Sequence, residues 1–257
     1  MYQEELNAII YIIKNASSII LDGYHNGTSS SFKEDDSIVT NVDKEADKLI
    51  REYLKNKFPT YGLLTEESKD DLSRLDKEYV WIVDPIDGTL EYVRHQYEFV
   101  TNIALVRNHE VVVGVIYAPL TDELFYAIKD EGSYLIKDNK INRIHVSMIE
   151  DKLRVLTSPY HEVKEEKEYL EKYKDMFASI SYGGAAYKAC LIASGKAEAS
   201  YRFSPNSKEW DTAAPDIIVR EAGGVFYDKY RKRLIYNKKD VRNLDGFIMV
   251  NKEKNYF

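Results

Sequence analysis

The sequence predicts a layered α/β fold, and three observations carry that prediction. Residues 79–83 form a short, continuously apolar run, the kind that lies in the middle of a sheet. Residues 99–136 read as successive strands joined by short turns, a pattern that favours antiparallel pairing. From residue 154 to residue 250, strand and helix patterns alternate, and such alternation builds sheets covered by helices.

The elements follow in order. Leu6, Ile9, Ile10, Ile13, Ile20 and Leu21 recur at helical spacing, an amphipathic opening helix expected to stop near Gly23. Residues 22–37 are polar, with Gly27 and Ser29-Ser30-Ser31, and read as a mobile loop. Thr40 precedes a second helix carrying Ala46, Leu49, Ile50, Tyr53 and Leu54, and Pro59 stops it. Strands are expected over 99–106 and 111–117 about an Asn108-His109 turn, then over 124–128 and 134–136 about a turn at 130–132. The second half predicts strands at 154–157, 177–181, 197–203, 225–227 and 247–250. Between them lie helices at 162–173, at 184–193 closed by Gly195, and at 211–221 ended by Gly223-Gly224.

At 257 residues the chain can build one sizeable core or two closely packed halves. A single domain over 1–257 is expected, with lobes at 1–152 and 153–257. The 36 basic and 43 acidic residues give a formal charge of -7, which argues against a nucleic-acid polymer as partner. A small anionic ligand stays open, because a bound metal or a local lysine can invert the field. Cys190 is the single cysteine, so an intrachain disulfide and a thiolate zinc site are excluded. It reads as packing on a helix face. Glu4, Glu5 and Lys14 interrupt the opening segment, which is therefore no signal peptide, and no apolar run reaches a membrane span. Cytoplasm is the expected location.

Chemistry concentrates in Trp81-Ile82-Val83-Asp84-Pro85-Ile86-Asp87-Gly88-Thr89. An apolar strand runs straight into two carboxylates three residues apart. Asp-Pro and Asp-Gly favour a turn, yet a turn alone does not explain two carboxylates delivered by so apolar a strand. Held there, Asp84 and Asp87 can share hard cations, and the turn aims the Ile86 carbonyl inward as a further oxygen ligand. Glu66-Glu67 and Trp210-Asp211 offer carboxylates from other segments, with Glu66 the best bridging candidate. Asp211 also suits a helix start, so capping and metal binding are compatible there. Asp43 follows Thr40 as the acid of a capping box. Paired with Asp43, the Thr89 hydroxyl becomes an oriented acceptor for a water proton. The backbone amides of Gly88 and Thr89 can hold phosphate oxygens. This combination reads as metal-assisted phosphoryl transfer to water.

These segments resemble the inositol monophosphatase superfamily. Its acidic pair, its Asp-Pro-Ile-Asp-Gly-Thr element and its Trp-Asp with small residues behind appear in family order as Glu66-Glu67, residues 84–89 and residues 210–214. The resemblance implies a five-layered αβαβα sandwich of the inositol monophosphatase / fructose-1,6-bisphosphatase type, usually a homodimer, hydrolysing a small phosphorylated substrate. It implies Glu66, Asp84 and the Ile86 carbonyl on one Mg2+, and Asp84, Asp87 and Asp211 on a second. Glu66 would also reach a third, and Asp43 and Thr89 would activate water. Mn2+ would substitute, and Ca2+ or Li+ would inhibit. Leu90-Glu91-Tyr92, residues 97–105, Lys33 and Lys188 look closer to the 3'(2'),5'-bisphosphate nucleotidase branch. Leu90, Ser204-Pro205-Asn206 and Gly183-Gly184-Ala185-Ala186 depart from it, so an inositol or sugar monophosphate stays open. A bisphosphate needs a second anchor, for which Lys33, Lys188 and Arg202 are the candidates, each a solvated surface cation by default. Gly88, Thr89 and Asp211 complete the expected substrate contacts.

Overall fold

The computed structural model describes residues 1–33, 38–158, 163–182 and 184–257. The strands are β1 (Ser30–Phe32), β2 (Ile38–Thr40), β3 (Gly62–Thr65), β4 (Tyr79–Asp87), β5 (Val100–Arg107), β6 (Glu110–Ala118) and β7 (Glu123–Ile128). They continue as β8 (Gly132–Lys137), β9 (Lys140–Ile144), β10 (Leu153–Thr157), β11 (Phe177–Tyr182), β12 (Ala199–Arg202), β13 (Val225–Tyr227) and β14 (Phe247–Val250). The helices are α1 (Gln3–Asn26), α2 (Asn41–Lys57), α3 (Thr89–Val93), α4 (Lys164–Lys172), α5 (Ala185–Ala193) and α6 (Glu209–Glu221).

Strands β3 to β9 make a seven-stranded sheet in chain order, parallel between β3 and β4 and antiparallel elsewhere. Such a meander needs only short turns, and Asn108 and His109 supply one with positive φ angles. The second sheet has the order β11-β10-β12-β14-β13, with β10 parallel to both of its neighbours.

Side-chain packing sets five layers. Leu6, Ile9 and Ile13 of α1 and Ile50 and Leu54 of α2 pack on Trp81, Ile103 and Val113, one face of the seven-stranded sheet. Ile82, Ala104 and Ile116 point to the opposite face, as the two-residue period of a strand requires, and meet Ala186 of α5 and Ala214 and Ile217 of α6. The other side of α5 and α6 packs through Ile192 and Val219 on Leu156, Phe247 and Met249 of the second sheet. Leu170 of α4 covers that sheet's far face with Val155 and Tyr201. The order is thus helices, sheet, helices, sheet, helix, the five-layered sandwich that the resemblance implied. Because α5 and α6 are buried on both sides, α5 is apolar nearly all round apart from Lys188, and α6 is apolar through Ala213, Ala214, Ile217, Ile218 and Val219.

Three local readings need correction. Helix α1 does not stop near Gly23 but runs to Asn26, and Gly27 with φ 98° ends it. Gly23 serves close approach instead: a Cβ there would lie 2.4 Å from Val42 Cγ2 and 2.7 Å from the Tyr92 hydroxyl. The polar stretch after it is not one long loop, since β1 and β2 pair antiparallel as a hairpin; residues 34–37 fall outside the described part. Strands β3 and β9 were not expected. β3 is only four residues long, and Lys140–Ile144 is largely exposed, so neither shows a clear apolar period. In the second half, the expected start of α4 at residue 162 lies outside the described residues, and the helix is seen from Lys164.

Candidate active site

The carboxylates that the sequence singled out meet where the middle helices face the end of β4. Oxygens of Asp84, Asp87 and Asp211 all lie within 4.8 Å of one another. Asp84 sits on the last turns of β4 before a shift in its register with β5, and is only 1% exposed. Its Oδ1 is buried and has no hydrogen-bond partner. Burial drives its carboxyl well above the ordinary range, and the charges of Glu66, Asp87 and Asp211 add to the shift.

The other carboxylates are held by helix starts. Asp87 Oδ2 accepts the Ala186 amide of α5 at 2.6 Å. Asp211 is the third residue of α6, not its first, because the helix begins at Glu209; its Oδ2 accepts the Lys208 amide at 2.7 Å. Asp43 is likewise third in α2, where its Oδ2 accepts the Thr40 amide at 2.8 Å and the Thr40 hydroxyl at 2.5 Å. In each case a backbone donor at the positive end of a helix dipole fixes one oxygen. Burial pushes Asp87 up to about 8, with the charges of Asp211 and Glu91 adding, and pushes Asp211 up to about 7, with the charge of Glu66 adding.

Asp43 uses its second oxygen for catalysis-type geometry. Oδ1 lies 3.2 Å from Thr89 Oγ1, which is also 3.1 Å from the Ile86 carbonyl. The capping box and the Asp43–Thr89 pair therefore coexist on one side chain. Burial raises the Asp43 pKa against the opposing bonds from Thr40 and Thr89. Gly88 precedes Thr89 with φ 90°, a left-handed conformation that a side chain would strain.

Glu66 stands beside the tight triad, not inside it, close enough to hydrogen-bond Asp84 and to raise both Asp84 and Asp211. Lys33 Nζ lies 2.7 Å from Glu66 Oε1 and 2.6 Å from Glu67 Oε1. The lysine expected to touch substrate thus rests on the acidic pair. Burial works against its charge, but the two carboxylates outweigh that and hold it above the ordinary lysine range. Burial and Glu66 bring Glu67 up to about 7.

Neither of the other cations is a solvated surface group. Lys188 on α5 is 3% exposed. Burial and Arg202 bring it down to about 8, against the pull of Asp87, Glu91 and Glu166. Arg202, at the end of β12, lies 3.2 Å from Glu166 Oε1 and near enough to Asp211 to favour its charge. Glu166 was not foreseen: one acid in a charged helix looks like its neighbours, and only the fold buries it under Arg202 and the Phe203 amide. The anchoring amide of Ala186 was equally invisible, since a backbone donor leaves no mark on residue type.

These donors fit a divalent cation. They are hard carboxylate oxygens from two separate segments, β4 and α6, one of them buried without a partner, and they repel one another unless positive charge joins them. A carboxylate cluster at a strand end, with an oriented hydroxyl beside it, suits metal-assisted hydrolysis of a phosphate ester. The model of the inositol monophosphatase family matches residues 1–252, and the chain belongs to that family. It is 33% identical over 247 residues to the 3'(2'),5'-bisphosphate nucleotidase CysQ of Salmonella typhimurium, covering 94% of this chain and 98% of that protein. It is 32% identical over 234 residues to the Nus factor SuhB of Pasteurella multocida, covering 87% and 84%. The crystal structure of CysQ from Bacteroides thetaiotaomicron superposes with a TM-score of 0.85 at 34% identity, over 98% of this chain and 99% of that one. Among the described residues, no helix is long and apolar enough to cross a membrane.

The raised carboxyls fix the sign of a pH effect on the metal-free chain. Asp87 and Asp211 titrate near 8 and 7 when folded, against about 3.9 unfolded. The folded state holds the extra protons, so the stability they contribute is complete below about pH 4 and is lost as pH rises through 7 and 8. With a chelator present, the melting temperature should fall between pH 6 and pH 9. Saturating Mg2+ or Asp84→Asn should flatten that fall. A chelated protein equally stable at both pH values would refute the clustering of unneutralised carboxyls.

Proposed function

We propose that the chain is a Mg2+-dependent phosphomonoesterase that removes the 3'-phosphate of 3'-phosphoadenosine 5'-phosphate. The observation that carries this reading is the placement of two cations, Lys188 and Arg202, against Asp87 and Asp211. A substrate with one phosphate needs the carboxylate-held cations alone. A substrate with two needs a second, cationic anchor beside them, and Lys188 and Arg202 are the positive charges placed there. The similarity to nucleotidases named CysQ supports the same choice. Inositol 1-phosphate or another sugar monophosphate is the second reading, favoured by the family model itself and by the equal likeness to proteins outside the CysQ group.

Two or three Mg2+ ions are assigned to Glu66, Asp84, the Ile86 carbonyl, Asp87 and Asp211, with Mn2+ able to substitute and Ca2+ or Li+ inhibiting. Bound there, the metal would neutralise the phosphate and lower the pKa of water. The chain's own residues do the rest. Asp43 Oδ1 fixes the rotamer of Thr89, so that its Oγ1 presents a lone pair to a water proton. With its pKa already raised by burial, Asp43 accepts the proton that Thr89 passes on. The Gly88 and Thr89 amides hold phosphate oxygens, and Lys188 with Arg202 takes the phosphate that does not react. The whole chain acts as one unit in this account, because Asp43 and Thr89 precede residue 152 and Lys188 and Asp211 follow it.

A phosphate-release panel with Mg2+ tests the assignment. The bisphosphate nucleotide should exceed inositol 1-phosphate and fructose 1,6-bisphosphate in kcat/KM; preference for inositol 1-phosphate would replace the first reading with the second. Thr89→Ala should lower kcat by about 10²-fold with little change in KM, as expected for a group used in the transition state. Near-normal turnover would remove Thr89 from proton transfer. Lys188→Met, which keeps the buried volume, should cost about 10-fold or more in kcat/KM for the bisphosphate nucleotide, the scale of one charge-assisted hydrogen bond. It should change a monophosphate much less, and equal losses on both would make Lys188 a general support of the site.

A further inference from the structure

Asp84 is held by its strand, and Asp87 and Asp211 by helix-start amides, whereas Glu66 lies in the turn that follows β3. Lys33 rests on its carboxylate at 2.7 Å. An ammonium and a divalent cation repel one another across a single carboxylate, so Lys33 is a poor support for Glu66 once metal is bound. The turn is pinned elsewhere. At one end the Glu66 amide donates to the carbonyl of Val83, the residue before Asp84, at 3.2 Å. At the other end the Ser68 hydroxyl donates to Asp47 Oδ2 at 2.7 Å. Asp47 is 2% exposed, and Arg51, one turn further along α2, donates from Nε to the same oxygen at 3.3 Å. A carboxylate is a charge-assisted acceptor, so the Ser68 bond is stronger than one between neutral groups. Asp47 is four residues from Asp43, and the two acids face the same side of α2. Burying an acid is costly, and Asp47 is not needed to start the helix, which Thr40 and Asp43 already cap.

We propose that Asp47 is a positioning residue of the metal site. Through Ser68 it fixes the turn that bears Glu66, and so sets where the Glu66-held ion lies relative to the Asp43–Thr89 pair. This role rests on the metal-dependent reading given above. One rigid helix then carries both the acid that orients the Thr89 hydroxyl and the acid that anchors the Glu66 turn. Without the Ser68 bond the turn keeps its tie to β4 and swings at its other end, which carries the Glu66 carboxylate away from the ion. Loss of a partner that orients a metal ligand costs about 10- to 100-fold in metal affinity. Ser68 acts through the chain and not on the Glu66 carboxylate itself, so the low end of that range applies. The ion held by Asp84, Asp87 and Asp211 does not depend on this turn.

Mn2+ titrated into the metal-free full chain, followed by loss of the free ion's paramagnetic resonance signal, tests the role without turnover. The parent should bind Mn2+ in two classes, and Glu66→Gln should weaken one of them. Ser68→Ala should weaken that same class about 10-fold and leave the other unchanged. Ser68→Thr, which keeps the hydroxyl, should bind as the parent does. Asp47→Ala should match Ser68→Ala, and the two together should lose no more than either alone, as for partners in one interaction. Ser68 is half-buried and gives up only a hydroxyl, so Ser68→Ala should melt close to the parent in chelator, and the outcome does not hang on the folding of Asp47→Ala. Parent-like binding by Ser68→Ala, equal weakening of both classes, or Ser68→Thr as weak as Ser68→Ala would overturn the positioning role while Glu66→Gln still marks the ion. Parent-like binding by Glu66→Gln would instead remove Glu66 from the metal, and the role of Asp47 with it.

Discussion

Three carboxylates within 4.8 Å of one another, those of Asp84 and Asp87 buried, are the constraint on which this structure turns. Left alone they repel, and burial deepens the cost of each charge. The fold holds them anyway by giving backbone amides to one oxygen of a carboxylate and leaving the other for the cluster. The starts of α2, α5 and α6 each do this, for Asp43, Asp87 and Asp211. Asp84 alone receives no such donor at Oδ1, and burial with the charges of Glu66, Asp87 and Asp211 raises it well above the ordinary range. The arrangement trades stability of the empty protein for a site ready to take cations, as functional sites commonly do.

The layered architecture follows from the same need. Helix α6 must bring Asp211 to the end of β4, and it does so by lying flat between two sheets. Gly114 of β6 makes room for it: a Cβ there would fall 2.5 Å from Ile217 Cγ2 and 3.1 Å from the Ala214 backbone. Helix α5 must bring the Ala186 amide to Asp87, and Gly184 at its start lies against the Glu98 carbonyl, where a Cβ would come within 2.0 Å. Small residues at these contacts set distances in the site, although none of them touches substrate.

Much of this was legible in the sequence because the signals were dense and local. The apolar β4 run ending in two aspartates marked both a central strand and a cation site, and Thr40 with Asp43 marked a helix start. The middle helices and the meander followed from apolar period and turn residues. What escaped was decided at a distance. Glu166 and Lys188 look like ordinary charged residues until α4 and α5 are packed, and only then are they buried beside Arg202. Lys33 was readable as a cation near the site, but its rest position on Glu66 and Glu67 depends on how the β1–β2 hairpin lies over the acidic pair. Gly23 looked like a helix stop because glycine usually is one, whereas its reason is the crossing of α1 over Val42 and Tyr92.

A crystal soaked in Mn2+ and measured for its anomalous signal tests the central claim most directly. The account predicts a strong peak between Asp84, Asp87 and Asp211, at oxygen distances of about 2.1 to 2.5 Å typical of such ions. A second peak should lie between Asp84, Glu66 and the Ile86 carbonyl, with the Lys33 ammonium withdrawn from Glu66. No peak among the three aspartates at saturating Mn2+, or a strong peak only elsewhere on the chain, would contradict it.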